Sequence, residues 1–473
     1  MLDIPVIRQL SSMSSTLASE RGTGILPTIG GKWFALAVLF SMNLLNYIDR
    51  YTFFVVGPQV QRHLRINDYW LGWLFASFMI VYTFAAPLVG WLGDRYHRRG
   101  LLCFGVGLWS LATVGTAFAH TFHQMFFWRA LLGVGEASYG VIAPTLLADL
   151  FPAKDRGKVM GLYFLALPLG GALGYGIGGL VSERYGWPAA FWVVGLPGLF
   201  AALAGLVIHD PGRGASDGKD AGTVDRPRLS EYLDLFRTPT FVLNTAGMAA
   251  VTFATGGFAA WSSMFYQTVR GLTAKQAGLW IGGLTAGAGL LGIAIGTWAA
   301  DFLLRYTRRA YLLMASAVIL ITVPLGTAGI LDPDPKSSLA LMFGAMVLLA
   351  SVLGPCNAVT ANVVPANRRA AGYALYIFLL HLLGDISSPI LIGIISIRFG
   401  RPSVVHSWLG EFVVRIGAVP VRRQNLTVGL LSVIPVLALG CLFFLFGSRH
   451  LPDDQARAQK ASGGGPVEAL QEL

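Results

Sequence analysis

Four charges sit inside stretches that are otherwise almost wholly apolar. Asp49 and Arg50 interrupt the run 33–57, and Arg129 and Glu136 interrupt the run 123–150. A charge at the centre of a bilayer costs about 2.5–3.5 kcal/mol on insertion scales, so it persists where it faces a wet cavity or a partner. Arg129 and Glu136 are seven residues apart, two helical turns, and share one face. An acid beside an arginine gives up its proton readily; one that loses that partner, or is taken from water, holds it. Acids that swap partners between two conformations therefore couple proton binding to a structural change, with Asp49 or Glu136 as the carrier. The same residues also suit a permanent ion-pair lattice that fixes helix packing, and the sequence leaves both readings open.

His381 and Asp385 form a second cluster, four residues apart on one helical face. A histidine beside a carboxylate can relay protons near neutral pH. It can equally be a surface hydrogen bond that supports packing beside Ser387, Ser388 and Pro389. No third or fourth ligand stands at a spacing that suits a metal. No nucleophile–base set is visible, and no G-x-x-x-x-G-K-[ST] loop that would cradle a nucleotide. Neither enzymatic activity nor a cofactor is expected.

The third motif is GWLGDRYHRR at 90–99, with a degraded echo GTWAADFLLRYTRR at 296–309. Each copy closes an apolar run with a glycine, an acid and clustered arginines, the signature of a tight cytoplasmic hairpin. FPAKDRGKVMG at 151–161 and VPANRRAAG at 364–372 form a second echo. Two echoes at similar separation make the chain two related halves, and paralogous halves in a polytopic membrane protein point to a transporter.

The elements that must carry these residues follow from composition. The 473 residues are 54% hydrophobic and only 12% charged, against about 25% charged in a soluble domain. Lipid, not a self-made core, must cover that much apolar surface. Spanning helices need roughly 20 apolar residues, and twelve such windows occur: 33–57, 70–93, 101–119, 123–150, 157–182, 188–209, 240–266, 275–303, 310–330, 338–364, 370–397 and 425–447. Long unbroken runs favour helices over barrel strands. The expected organisation is a mobile N-terminal tail (1–32), a six-helix bundle (33–209) and a cytoplasmic linker (210–238). A second six-helix bundle (239–447) and a disordered tail (448–473) follow. Within the linker, LSEYLDLF at 229–236 has the spacing of a short amphipathic helix.

The net charge of +11 is distributed by side. With the N-terminus inside, the cytoplasmic face holds roughly twice as many Lys and Arg as the outer face. That asymmetry argues for a membrane topology with both termini cytoplasmic and against nucleic-acid binding. The loop 399–424 is a basic exception on the outer side, and its WLGEFVVRIG segment could rest on the lipid surface. Cys103, Cys356 and Cys441 all fall in spans and form no disulfide framework. The first thirty residues lack a cleavable signal pattern, so the first span is expected to direct insertion. Pro87, Pro144, Pro168, Pro355 and Pro389 are expected to kink their spans. The glycines from Gly170 to Gly179 allow close helix approach or a hinge.

The hairpin pattern G-x-L-x-D-R-x-x-R-R is met by Gly90, Leu92, Asp94, Arg95, Arg98 and Arg99. With Arg129, Gly133, Gly135 and Glu136 in RALLGVGEA, it resembles the major facilitator superfamily. Within that superfamily the chain is most similar to the spinster group, through NYIDRYT at 46–52, GEASYGVIAPTLLADLFP at 135–152, ALPLGGALGYGIGG at 166–179 and HLLGDISSP at 381–389. Ile397 departs from the acid usual there. The resemblance implies an all-α fold of twelve spans in two pseudo-symmetric bundles, with the first and fourth spans adjacent around a cavity. It also implies a cytoplasmic gate of Gly90, Asp94, Arg95, Arg98 and Arg99, with Asp301 and the pair Arg308–Arg309 in the second copy, that latches the inner side. The expected function is proton-coupled secondary transport of a lysophospholipid, a sphingolipid-like molecule or another single-chain amphiphile. Small organic anions or hydrophobic drugs are the alternative substrates, and a non-transporting membrane sensor the alternative class. The expected partners are the bilayer, the substrate and protons, and the expected state is a monomer in the cell membrane, the inner membrane of a bacterium.

Overall fold

The computed structural model describes residues 31–212, 234–365 and 368–461, with only the backbone of Asp94, Ala153 and Ala370. The first half contains α1 (Lys32–Leu64), α2 (Asp68–Arg95), α3 (Arg98–Thr116), α4 (Phe122–Leu150), α5 (Ala153–Phe164), α6 (Ala166–Tyr185) and α7 (Trp187–Gly205). The second contains α8 (Pro239–Thr268), α9 (Ala274–Leu304), α10 (Ala310–Leu331), α11 (Pro335–Ser351), α12 (Leu353–Val363) and α13 (Arg369–Leu380). A π-helical turn over His381–Asp385 leads from α13 into α14 (Ser387–Gly400). The short α15 (Pro402–Val405) and α16 (Trp408–Arg415) precede α17 (Leu426–Leu431) and α18 (Val433–Ala461). α5 with α6, α11 with α12, α13 with α14, and α17 with α18 are single spans, so each half crosses six times.

Ten of these spans are long and apolar enough to cross a membrane on composition alone. The other two are α1, which carries Asp49 and Arg50, and α3, which opens on two arginines. Their 33 and 19 residues rise about 50 and 28 Å, close to or beyond the roughly 30 Å hydrocarbon core. Helix starts are fixed by local chemistry. Asn67 and Thr121 accept the N–H groups of Trp70 and Gln124, and Thr273 with Gln276 forms a capping box at α9. Asp334, outside the spans, accepts the Ser337 N–H, which holds its carboxyl below the usual range.

The glycine-rich fifth span packs by two faces. A Cβ at Gly174 would lie 2.6 Å from the Ile48 carbonyl oxygen and 2.9 Å from Tyr51 Cβ, so only glycine lets α6 and α1 approach this closely. The other face meets the second half: a Cβ at Gly179 would lie 3.3 Å from Gly278 Cα on α9. The run is a double packing surface, and small residues serve there because lipid gives helices no hydrophobic reason to associate.

Several hydrogen bonds join the halves, and they share one end of the bundle. Gln267 Nε2 donates to the Val55 carbonyl at 2.9 Å, Lys275 N donates to Glu183 Oε2 at 2.7 Å, and the Tyr175 hydroxyl donates to the Ala259 carbonyl. This is the end where α6 runs out and α9 begins, opposite the Tyr96–His97 hairpin.

The C-terminal segment corrects an expectation. Residues 448–461 are helical, not disordered, because a buried stripe of Gly447, Ser448, Leu451, Asp454 and Ala458 continues the packed face of α18. Asp454 Oδ2 accepts the Thr240 N–H at 2.9 Å, in the first turn of α8. This contact serves as a cap supplied from another helix. Asp454→Ala is expected to lower stability by about 1 kcal/mol, read as a lower midpoint of thermal unfolding in detergent, with Asp454→Asn close to wild type. Residues 462–473, the tail 1–30 and most of the expected amphipathic helix at 229–236 lie outside the described residues. Of that helix, Leu235 is buried and Asp234 pairs with Arg368 at 3.4 Å.

Candidate functional site

The first-half charges meet between α1, α3 and α4. Arg50 on α1 and Glu136 on α4 form an ion pair, Nη2 to Oε2 at 2.6 Å, with side chains 18% and 0% exposed. Asp49 is fully buried and accepts the Thr113 hydroxyl of α3. Arg129 is also buried, with its guanidinium carbon 4.1 Å from the centre of the Phe53 ring and 5.2 Å from that of Phe78. None of its three nitrogens has a protein hydrogen-bond partner. Asp49 Oδ1, Glu136 Oε1 and Arg50 Nε are likewise without one. A permanent lattice would satisfy its members, because an unpaired polar atom away from water is costly. Two acids and two cations thus share one close ion pair.

Arg50 is the member that reaches open space. Its guanidinium lies 4.7 Å from the Phe78 ring centre, 5.2 Å from Tyr47 and 6.0 Å from Tyr82. Tyr82 also stands edge-on to His381 of the second half at 6.1 Å. The two clusters are thus joined through one aromatic ring.

His381 Nδ1 and Asp385 Oδ2 are 2.7 Å apart, with side chains 26% and 22% exposed. They sit on the π turn, where the Ile386 N–H reaches back to the His381 carbonyl at 3.0 Å. Such turns widen a helix locally and recur at functional sites. α8 makes room for it: a Cβ at Gly256 would lie 2.5 Å from Asp385 Oδ1.

The hairpin residues divide. Gly90 faces Val141 of α4, and Arg95 stacks on Trp91 at 4.0 Å. Arg98 bonds Asp149 at the end of α4 at 2.5 Å and Asp210 beyond α7 at 2.6 Å. Arg99 donates to the Ile208 carbonyl at 3.4 Å. Arg95, Arg98 and Arg99 therefore act inside the first half in this conformation. The side chain of Asp94 lies outside the described residues, and Asp301 is exposed at the end of α9.

Sequence reasoning did not find Thr113, Tyr82, Asp149 or Asp210. A threonine or tyrosine inside a span carries no signal of its own. The two aspartates were legible only as acids at span ends, where an acid is ordinary.

Two six-helix halves, a doubled basic hairpin and charges buried at mid-span define a polytopic membrane transporter. The family model described as Major Facilitator Superfamily matches residues 39–389. Protein spinster homolog 1 of Mus musculus is 34% identical over 466 residues, covering 93% of this chain and 84% of the relative. Protein spinster of Drosophila melanogaster is 33% identical over 385 residues, covering 78% and 63%. Among solved structures, a bacterial homologue of the human lysosomal transporter Spinster, inward-facing and unoccupied, superposes with a TM-score of 0.77 at 21% identity, covering 89% of this chain and 98% of that one. A D-xylose–proton symporter superposes at 0.67 with 16% identity, covering 87% and 97%. The chain belongs to the spinster family of the major facilitator superfamily.

Proposed function

We propose that this transporter works by alternating access, is driven by protons, and carries a lysophospholipid or another single-chain amphiphile. With both termini cytoplasmic in a cell membrane, the bonded end of the bundle is the outer end, and the structure faces inward. The observation that carries the substrate class is Arg50, a partly exposed cation ringed by Tyr47, Phe78 and Tyr82. A cation suits an anionic headgroup, and the aromatic rim suits the chain attached to it. Apart from His381 and Asp385, the mid-span residues of the second half are mostly apolar or small, which fits the chain rather than a second charge. Asp49 or Glu136 carries the proton in this reading; each has one oxygen free of a protein partner. The hairpins bearing Asp94 and Asp301 close the inner end in the opposite state.

The test is uptake into proteoliposomes under an imposed pH gradient, with a lysolipid panel beside small carboxylates. Lysolipids are expected to accumulate, with uptake falling as the gradient is collapsed. Uptake of a small carboxylate with no binding or movement of any lysolipid replaces this reading with the organic-anion one.

A further inference from the structure

The bonded end of the bundle contains a carboxylate that none of the motifs above includes. Asp68, the first residue of α2, is almost completely buried. Its Oδ1 accepts Gln61 Nε2 of α1 at 2.7 Å, within its own half. Its Oδ2 accepts the Ser396 hydroxyl of α14 at 2.6 Å, across the halves. With the Gln424 amide oriented by its neighbours, Gln424 Nε2 faces both Asp68 oxygens as donor, also across the halves. No arginine or lysine pairs with Asp68 among the described residues; its donors are neutral and two of the three belong to the partner half.

The surroundings are built to make this approach. Gly393 of α14 lies against the Asp68 carbonyl and Gly72 of α2 against the Pro389 carbonyl, where a Cβ would collide with backbone. Gln424 is presented by a two-residue turn closed by the Val421–Gln424 bridge at 2.7 and 3.0 Å. Its central residues, Arg422 and Arg423, have φ of 51° and 63°. Left-handed backbone is unfavourable for a side chain of that size and survives only where the surroundings over-determine it. Here the Asn425 N–H bonds the Ser396 carbonyl at 2.8 Å, tying the turn to the helix that carries the serine. A cavity of about 610 Å³, lined by Arg62, Asp68, Glu183, Gln267 and Arg422, adjoins the site.

We propose that Asp68 is the outer latch of the transport cycle: its bonds to Ser396 and Gln424 hold the outer end shut, and their release precedes outward opening. The inference rests on the alternating-access reading. Closed, the carboxylate is satisfied by donors from both halves. Open, it keeps Gln61 and takes water from the adjoining cavity, so the contact can break without stranding a buried charge. Asp68 is a positioning residue that acts on the equilibrium between conformations.

Spin labels at Tyr185→Cys and Trp408→Cys, both exposed at this end, report its opening by pulsed electron resonance in the cysteine-substituted full chain. Asp68→Ala is expected to raise the ratio of long to short distances by about tenfold, the worth of a charge-assisted hydrogen bond. Ser396→Ala leaves the start of α2 intact and is expected to move the ratio the same way by less. If Asp68→Ala only lowers the unfolding midpoint and Ser396→Ala leaves the distances unchanged, Asp68 is a helix-start acid and the latch is wrong. If wild type and every variant show one distance, with or without substrate and a proton gradient, alternating access itself fails.

Discussion

Glu136→Gln should fold like the wild type yet lose gradient-driven uptake by about tenfold or more, the range of a typical coupling free energy. The substitution keeps the size of the side chain and one acceptor for Arg50, but it removes the group that can gain and lose a proton. Arg50 is 18% exposed and can be solvated when its partner is neutral, so the cost to folding is limited. Substrate exchange between two compartments at equal pH needs no net proton movement and is expected to continue. That contrast separates the proton reading from the lattice reading. A lattice that only fixes helix packing predicts a lower unfolding midpoint and parallel losses in both transport modes. Asp49→Asn should behave like Glu136→Gln if the proton moves between the two acids, and should leave driven uptake intact if Glu136 carries it alone.

Arg98→Ala is expected to have the largest effect on stability of any single change in the hairpin, about 1.5–3 kcal/mol, the worth of hydrogen bonds to charged groups. Arg98 is 6% exposed and its two partners, Asp149 and Asp210, are 13% and 25% exposed. Removing it takes away the one guanidinium that ties the start of α3 both to the end of α4 and to the segment after α7. Arg98→Lys keeps the charge but loses the fork that serves both acids at once, so it should fall between. Arg99→Ala removes one long bond to a carbonyl and should stay within about 0.5 kcal/mol of wild type. Thermal unfolding of the purified variants in one detergent decides between this asymmetry and equal roles for the two arginines.

Some of this architecture was visible in the residues and some was not, for physical reasons. A spanning helix must be apolar over most of its length, so long apolar windows mark the spans with no need of tertiary contacts. The halves were legible because the hairpins repeat. The break at Leu165 between α5 and α6 and the π turn at His381–Asp385 were not. A change of hydrogen-bond register needs no distinctive residue, and the spacing of His381 and Asp385 suits either helix type. Buried charges announced themselves by their cost in lipid, but their partners did not: Thr113 stands 64 residues from Asp49, and only the fold brings them together. Asp68 was hidden by its position, since an acid in the first turn of a helix already has an ordinary explanation. The segment after Phe446 looked too polar to order because its few apolar residues reveal their helical spacing only once Asp454 is counted as buried.

The bond between Asp454 and Thr240 spans 214 residues. A ribosome adding about 5–20 residues per second needs roughly 10–40 s to make that stretch. For that time the first helix of the second half has emerged without the carboxylate that closes its start. The first half waits less: its Gln59 meets Ser182, 123 residues later. The two halves are alike in form but not in the schedule of their birth. In the second, the start of α8 is closed only when the end of α18 arrives.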